Sequence, residues 1–466
     1  MAIIYIDWTD IAKHVEAQTT ITGIQRVAFM IARSMVERFG AERVRISRYD
    51  HLNGVYRYFA SDFLASTPDF DAEQIRKFID IRPPANPAPT LSKYEKDSFK
   101  FRYYSLVRDI NCWIGNERHF EKRSSSRSEW IAYRGRREPS EEPDIRDVFE
   151  VAEKGDLLCL MGAHWSTPGI ENVFIRLHEL GLRVSLLIYD LIPLVSGEDL
   201  GEGLQAEFDR WLFNSAGYVD QYLAISKCTQ RDLDTYLSEK GISRQTRVVA
   251  LAQQACKPGD DAGARENEVA SGLIRPVEVS QPVPNIARMA YVLCVGTIES
   301  RKNIWRLAQA WKRLAQRDDV DVPRLVLAGK PGWLVEGFLE WMRVSAWLEG
   351  WIQFVNAPTE RERDYLYRNC LFSVTVSTYE GWGLPIGESL WHGKTAVVSN
   401  VSSMPEVGGD MVEYCNPHSI NSIHDACLRL IADEARRAEL EHRIAETRLR
   451  TWDDVANDYI EAISST

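Results

Sequence analysis

The chain is expected to be an α/β protein of two domains, each built on a parallel sheet with helices on both faces, set against each other around a central cleft. Three observations lead there. Its 466 residues exceed what one hydrophobic core usually supports. Short continuous apolar runs alternate with segments of helical periodicity, the pattern of strands buried on both faces. A stretch rich in Gly, Asp, Pro and Glu at 257–286 interrupts that alternation midway. Two Rossmann-like domains follow, at 1–270 and 271–450, with a final helix in 451–466.

The first domain opens on Ile3-Ile-Tyr-Ile6, a short apolar run followed by Asp7 and a polar loop that ends at Thr22-Gly23. Ile24, Val27, Ala28, Ile31 and Met35 then fall on one face of a helix. Strand, glycine-ended loop and helix make the first half of a βαβ unit. Asp156–Met161 and Val184–Ile188 read as further buried strands around a helical segment near Ile170–Leu180, and Tyr222–Ser226 continues the series. Between about 60 and 150 the alternation breaks, at the Pro-rich run 82–89 and the polar tract 122–127, which reads as an insertion or lid. In the second domain the expected strands are Tyr291–Val295, Arg324–Leu327, Trp351–Val355, Leu371–Val376 and Thr395–Val398. Each precedes a segment of helical composition, and Trp452–Ile463 reads as the last helix, with Val455, Tyr459 and Ile460 on one side.

Composition narrows the function. A net charge of −11 argues against a general nucleic-acid binder. No run approaches the ~18 apolar residues of a membrane span, and MAIIYIDWTD lacks the basic start and long apolar core of a signal peptide, so the chain is expected in the cytoplasm. Eight cysteines without C-x-x-C spacing indicate neither a zinc site nor a disulfide framework.

The chemistry concentrates in two clusters. Glu380-Gly-Trp-Gly-Leu-Pro-Ile-Gly-Glu388 follows the strand run at 371–377, and Pro385 suits the first turn of a helix that carries Glu388. Gly381 and Gly383 let backbone come close to a ligand there, free N–H groups at the helix start favour phosphate, and an ionised carboxylate can accept two hydrogen bonds from a sugar diol. The other cluster is Val295-Gly-Thr-Ile-Glu-Ser-Arg-Lys-Asn-Ile304, which puts Arg301 and Lys302 in the loop after Gly296-Thr297, at the carboxyl end of the second domain's first strand. Two cations there would suit a diphosphate; alone, they read first as a solvated loop pair.

Taken together, Gly296-Thr297, Arg301-Lys302-Asn303, Leu325-Val-Leu-Ala-Gly-Lys330, the E-x7-E element Glu380–Glu388 and Met404-Pro-Glu-Val-Gly408 resemble a retaining glycosyltransferase of family 4 over roughly 290–410. The resemblance implies the GT-B architecture, with the last helix crossing back to the first domain. It implies that Arg301 and Lys302 hold the donor diphosphate, that Glu388 binds the ribose hydroxyls, and that Glu380 contacts the donor sugar near the backbone N–H groups of Gly383-Leu384. In the first, acceptor-side domain, Thr22-Gly23-Ile-Gln-Arg-Val27 is similar to the glycine loop of bacterial polysaccharide mannosyltransferases, where Gly23 would approach the donor; a plain helix start is the other reading. Leu187-Ile-Tyr-Asp-Leu-Ile-Pro193 resembles the family's strand-end motif, with Tyr189 where a histidine is common. Asp190 then becomes the contact to sugar or acceptor, and His164 is either a substitute for that histidine or a structural residue.

The resulting expectation is a hexosyltransferase, with Arg301, Lys302, Glu380 and Asp190 as catalytic residues. Its donor is a nucleotide-diphosphate sugar, GDP-mannose ahead of UDP-linked sugars, and its acceptor a saccharide or lipid-linked saccharide of bacterial surface polysaccharide or glycolipid. No cofactor or metal is required, since Arg301, Lys302 and helix amides carry the phosphate charge, and the triplets Asp69-Phe-Asp71 and Asp319-Val-Asp321 read as solvated turns. The alternatives are a non-catalytic sugar-nucleotide-binding partner, an inverting GT-B transferase or an epimerase; an NAD-binding protein is disfavoured because neither half has a convincing G-x-G-x-x-G. Residues 118–137 hold seven Lys or Arg against two Glu, with Phe120, Trp130 and Tyr133 between them. That segment is either a solvated loop or a peripheral contact with the inner face of the cell membrane.

Overall fold

The computed structural model describes residues 2–17, 23–51, 53–66, 70–81, 91, 98–113, 116, 119–120, 130, 146–195, 203–255, 283–332 and 334–464. The first sheet has seven strands, β1 (Ile4–Asp7), β2 (Val44–Asp50), β3 (Val55–Ala60), β4 (Leu157–Leu160), β5 (Arg183–Ile188), β6 (Gln221–Ala224) and β7 (Gln245–Val248), in the order β3-β2-β1-β4-β5-β6-β7. All neighbours are parallel except β2 and β3, an antiparallel hairpin closing one edge. The second sheet has six, β8 (Tyr291–Val295), β9 (Arg324–Gly329), β10 (Ile352–Asn356), β11 (Ser373–Thr375), β12 (Ala396–Ser399) and β13 (Glu413–Cys415), ordered β10-β9-β8-β11-β12-β13 and wholly parallel. Helices cover both faces. Two parallel-sheet Rossmann-like domains of this kind are the GT-B fold.

The core strands are where continuous apolar runs put them. Tyr5, Ile6, Leu158, Leu186, Leu223, Val292, Leu293, Val374 and Val397 are all buried. β2, β3, β7 and β13 are not foreshadowed by such runs, because they lie at or near sheet edges and carry charge. Arg48 in β2 donates to the carbonyl of Ile79 and Arg57 in β3 pairs with Asp80, so charged strand residues are buried by being satisfied rather than by being apolar. The expected strand at 371–376 is shorter, at Ser373–Thr375, and the one at 395–398 sits one residue later.

Both sheets reverse direction of strand addition beside their first strand, between β1 and β4 and between β8 and β11. Such switch points open a crevice outside the carboxyl ends of the strands. There stand Asp7–Asp10 after β1, Tyr189-Asp190 after β5, Gly296 after β8 and Ser377–Glu380 after β11.

A continuous core joins the two halves. Trp8, Phe29, Ile31 and Met35 of the first domain share it with Trp382, Ile386 and Met404 of the second and with Trp452, Val455 and Tyr459 of helix Trp452–Ser464. That last helix packs on helix Gly23–Phe39 and hydrogen-bonds its Tyr459 hydroxyl to Ser185 at 3.2 Å. Its start is fixed by Gln254, whose carbonyl accepts from the Trp452 indole at 3.1 Å.

The halves approach closely at Gly381, where an added Cβ would stand 2.1 Å from the carbonyl oxygen of Tyr189. This glycine therefore answers to the opposing backbone before any ligand is considered. A second close approach lies at Gly387, whose Cβ would be 2.9 Å from Cα of Gln253. Gly381→Ala is expected to lower unfolding free energy by about 2 kcal/mol, by forcing these backbones apart. Thermal melts against Gly54→Ala check it; that site is open, but its positive φ makes it the control for conformational strain alone.

Candidate active site

At the carboxyl edge of the second sheet, Ser300–Lys302 form a short 3-10 turn closed by Asn303, which adopts φ 60°. The Asn303 side chain donates to the carbonyls of Val376 and Pro417, at 2.9 and 2.7 Å, and so ties the cationic turn to the end of β11. From this turn Arg301 and Lys302 reach Glu380: Arg301 Nη1 to Oε2 at 2.9 Å and Lys302 Nζ to Oε1 at 2.5 Å. Arg301 also donates to the Tyr379 carbonyl at 2.7 Å and to Glu299 at 2.6 Å. Ser377 donates to Glu380 Oε1 at 2.6 Å. Ser402 accepts the Glu380 amide, and Ser403 donates to the Glu380 and Trp382 carbonyls.

Burial alone would push the Glu380 carboxyl up, but Lys302 and Arg301 outweigh it and hold it at about 2. Burial likewise disfavours the charge on Arg301, yet Glu380, Glu299 and Asp190 more than restore it. Asp190 reaches the same cluster from the first domain. Its carboxyl is raised, chiefly by burial, against the pull of the Ile192 amide and of Arg301. Arg301, Lys302, Glu380 and Asp190 are thus brought together from two domains.

The helix after the glycine turn, Leu384–Trp391, begins with Pro385 in its first turn and Gly383 at φ 110° as its cap. Gly23 of the first domain faces this helix start, since a Cβ on Gly23 would lie 3.9 Å from Leu384 Cδ1. Gly296, at φ 142°, lies against the stem of Lys302, and Thr297 is exposed beside it.

Glu388 is buried and paired with Arg26, which also reaches Glu360 at 2.9 Å. Burial raises its carboxyl, but Arg26 and Arg363 prevail and lower it. Oε2 of Glu388 has no hydrogen-bond partner among the described residues, with the Tyr367 hydroxyl, which donates to Pro385, close by. In the sequence, Arg26 stands within the glycine loop Thr22–Val27. Spacing within one segment carries no sign that it meets a carboxylate 362 positions later.

Two residues expected as sugar or acceptor contacts, Tyr189 and His164, make hydrogen bonds within the first domain. The Tyr189 hydroxyl donates to the Met161 carbonyl at 2.7 Å, with that of Ile24 at 3.3 Å, and so braces the end of β4 against the start of helix Gly23–Phe39. His164 is 2% exposed, with Nε2 2.9 Å from Asp7 Oδ1 and its ring edge-on to Phe174. Asp7 also accepts from Thr9 and Tyr56, a buried network that reads as structural. Nearer the mouth, Asp10 accepts from Gln25 at 2.6 Å, and burial raises its carboxyl. Asp10 was not singled out from the sequence, where a lone carboxylate after a strand carries no signal.

Asp71 caps helix Ala72–Phe78 and Asp319 pairs with Arg317, while Asp69 lies outside the described residues. Most of the basic stretch 118–137 also lies outside them. Phe120 and Trp130, two of its aromatics, are buried at 1% exposure against Leu91, which removes them from any membrane contact. No helix among the described residues is long and apolar enough to cross a membrane.

Comparison with known proteins agrees with the fold. Residues 280–448 match the family model described as glycosyl transferases group 1. The O-antigen chain mannosyltransferase B of Escherichia coli is 34% identical over 179 residues, 38% of this chain and 46% of that protein. The serotype-specific mannosyltransferase WbdA of the same species is 28% identical over 373 residues, 78% of this chain and 43% of that protein. The chain thus spans less than half the length of these curated relatives. Among solved structures, Anabaena Alr3699/HepE in complex with UDP and glucose aligns over 100% of both chains with TM-score 0.56 and 11% identity. Sucrose-phosphate synthase from Thermosynechococcus elongatus does so with TM-score 0.55 and 14% identity. The chain has the GT-B fold.

If Arg26 and Glu388 form one inter-domain ion pair, Arg26→Ala and Glu388→Gln should each cost about 3 kcal/mol, with a coupling of at least about 1 kcal/mol in a double-mutant cycle from urea unfolding. Glu380 supplies a pH signature. Its lowered carboxyl stabilises the fold fully above the ordinary value of 4.5, and that contribution is lost as pH falls through about 2. Glu380→Gln should therefore be less stable at pH 7 and lose less stability between pH 4.5 and 2 than wild type, measured by thermal melts across that range.

Proposed function

We propose that the chain is a retaining glycosyltransferase of family 4 that moves a hexose, mannose as first choice, from a nucleotide-diphosphate sugar to a saccharide or lipid-linked saccharide acceptor. The observation that carries this reading is the convergence of Arg301, Lys302, Glu380 and Asp190 from facing sheet edges. In it, the bond between the anomeric carbon and the β-phosphate oxygen breaks, the acceptor oxygen bonds to that carbon on the same face, and the acceptor proton passes to the departing phosphate. Negative charge grows on the β-phosphate, where Arg301, Lys302 and the amides at Gly383-Leu384 stabilise it from fixed positions. Gly296 and Gly23 leave room for the donor on either side.

Glu380 then has two tasks: it holds the two cations in place, and it faces the sugar. Glu388 takes the ribose diol, its ionised carboxylate accepting two hydrogen bonds. Arg26 would have to share or yield Glu388 when a nucleotide arrives. The reading calls for no metal, because fixed cations and amides meet the phosphate charge. GDP-mannose is preferred over UDP-linked sugars because the matched curated relatives are mannosyltransferases by name, and the setting would be bacterial surface polysaccharide or glycolipid synthesis in the cytoplasm.

Incubation with GDP-mannose, and in parallel with UDP-, dTDP- and ADP-linked sugars, followed by NMR of the anomeric linkage, tests donor and stereochemistry together. Transfer with retention is expected from GDP-mannose; an inverted product removes the retaining assignment. Arg301→Ala and Lys302→Ala should each lower kcat by about 100-fold or more. Glu388→Ala should chiefly raise the donor KM, and unchanged nucleotide affinity by calorimetry would remove the ribose assignment.

A further inference from the structure

Helix Phe99–Trp113 has an inner and an outer face. Phe101, Ser105, Arg108 and Cys112 form the inner one, turned toward the cluster of Leu91, Phe120 and Trp130. Arg108 lies over the Trp130 ring at 5.3 Å, and the Trp130 indole donates to Asp109 at 3.0 Å. This seam attaches the helix to the protein.

The opposite face is exposed. Phe99 is 83% exposed, Tyr103 55%, Leu106 57%, Ile110 51% and Trp113 86%. Spaced at i, i+4, i+7, i+11 and i+14, these five fall within an arc of about 80° at 3.6 residues per turn. Other exposed large apolar residues, such as Val195, Phe213 and Leu334, stand singly on different elements. A contiguous apolar stripe of this length is rare on a surface that meets only water.

Charge says what covers it. Lys100 and Arg102, both exposed, flank the stripe on either side, and no acidic residue lies within it. The helix's one carboxylate, Asp109, is turned to Trp130. Aromatic residues at both ends of an apolar stripe, with long cationic side chains at its margins, suit the boundary between headgroups and acyl chains. We infer that helix Phe99–Trp113 lies in the plane of an anionic bilayer surface, with Phe99, Tyr103, Leu106, Ile110 and Trp113 in the interface and Lys100 and Arg102 at the headgroups.

The first domain would thereby be anchored through the segment inserted between its β3 and β4. A lipid-linked acceptor would meet the enzyme at that surface. The inference does not depend on the donor assignment.

The test is co-sedimentation of the full chain with phosphatidylcholine vesicles, with and without about 30% phosphatidylglycerol. Wild type should bind the anionic vesicles and bind the neutral ones at least about tenfold more weakly. A Phe99→Ser, Leu106→Ser, Trp113→Ser variant should lose at least about tenfold in apparent affinity. Its melting temperature should not change, and neither should its turnover on a soluble acceptor, so a failed anchor is separable from a failed transferase reading. A second variant, Lys100→Glu with Arg102→Glu, should weaken binding to anionic vesicles only. The inference is overturned if wild type stays in solution, if the serine variant sediments equally, or if that variant only abolishes self-association in light scattering while lipid binding persists.

Discussion

Glu380, buried between Arg301 and Lys302, is the interaction on which the rest of the site depends. A carboxylate taken out of water at that depth is tolerable only because two cations and the Ser377 hydroxyl satisfy it. Those cations reach it only because the Ser300–Lys302 turn is held against β11 by the Asn303 side chain. That hold in turn requires β8 and β11 to be neighbours, which is the strand order that creates the switch point. A buried ion cluster of this kind adds little net stability. What it fixes is geometry: each partner has one place to be, and removing any of them leaves the others as uncompensated buried charge.

The same constraint extends across the cleft. Asp190 enters the field of Arg301 from the first domain, and the Tyr189 carbonyl next to it meets Gly381 so closely that no side chain could stand there. Thr229 reinforces the junction, with its hydroxyl near the carbonyls of both Tyr189 and Gly381. Arg26 and Glu388 make a second charged contact between the halves, and the core shared by Trp8, Trp382 and Trp452 continues beneath both. The strand ends of the two sheets therefore face each other, so that a ligand held by one domain can be approached from the other.

Most of this architecture was legible in the sequence because buried parallel strands must be apolar throughout. β1, β4, β5, β6 and β8 to β12 announce themselves that way, and Pro385 together with Gly383 marks the start of the helix that bears Glu388. The edge strands β2, β3, β7 and β13 did not, since their burial rests on specific partners for Arg48 and Arg57 or is incomplete. In the site, the residue types of Arg301, Lys302, Glu380 and Asp190 could be read, but not their pairing. Which cation meets which carboxylate is decided by turns and by the second domain, and Arg26 with Glu388 is the extreme case, a contact between residues 362 apart. Tyr189 and His164 show the converse: polar residues at strand ends invite a chemical role, and here their hydrogen bonds go to backbone carbonyls and to Asp7.

Arg26 gives the cleft its electrostatic logic. Without it, Glu388 would be a buried carboxylate relieved mainly by Arg363, and helix Leu384–Trp391 would carry that charge facing the first domain. With it, the charge of Glu388 is neutralised and the two halves are drawn together at that point. A ribose offers Glu388 hydrogen bonds but no charge, so it is a poor electrostatic replacement for a guanidinium. The diphosphate arriving with it is the better partner for a cation. On the reading proposed above, Arg26 would follow the charge and turn from Glu388 toward the phosphates while the diol takes its place. Donor binding would then exchange one satisfied set of contacts for another, leaving no buried charge alone at either stage.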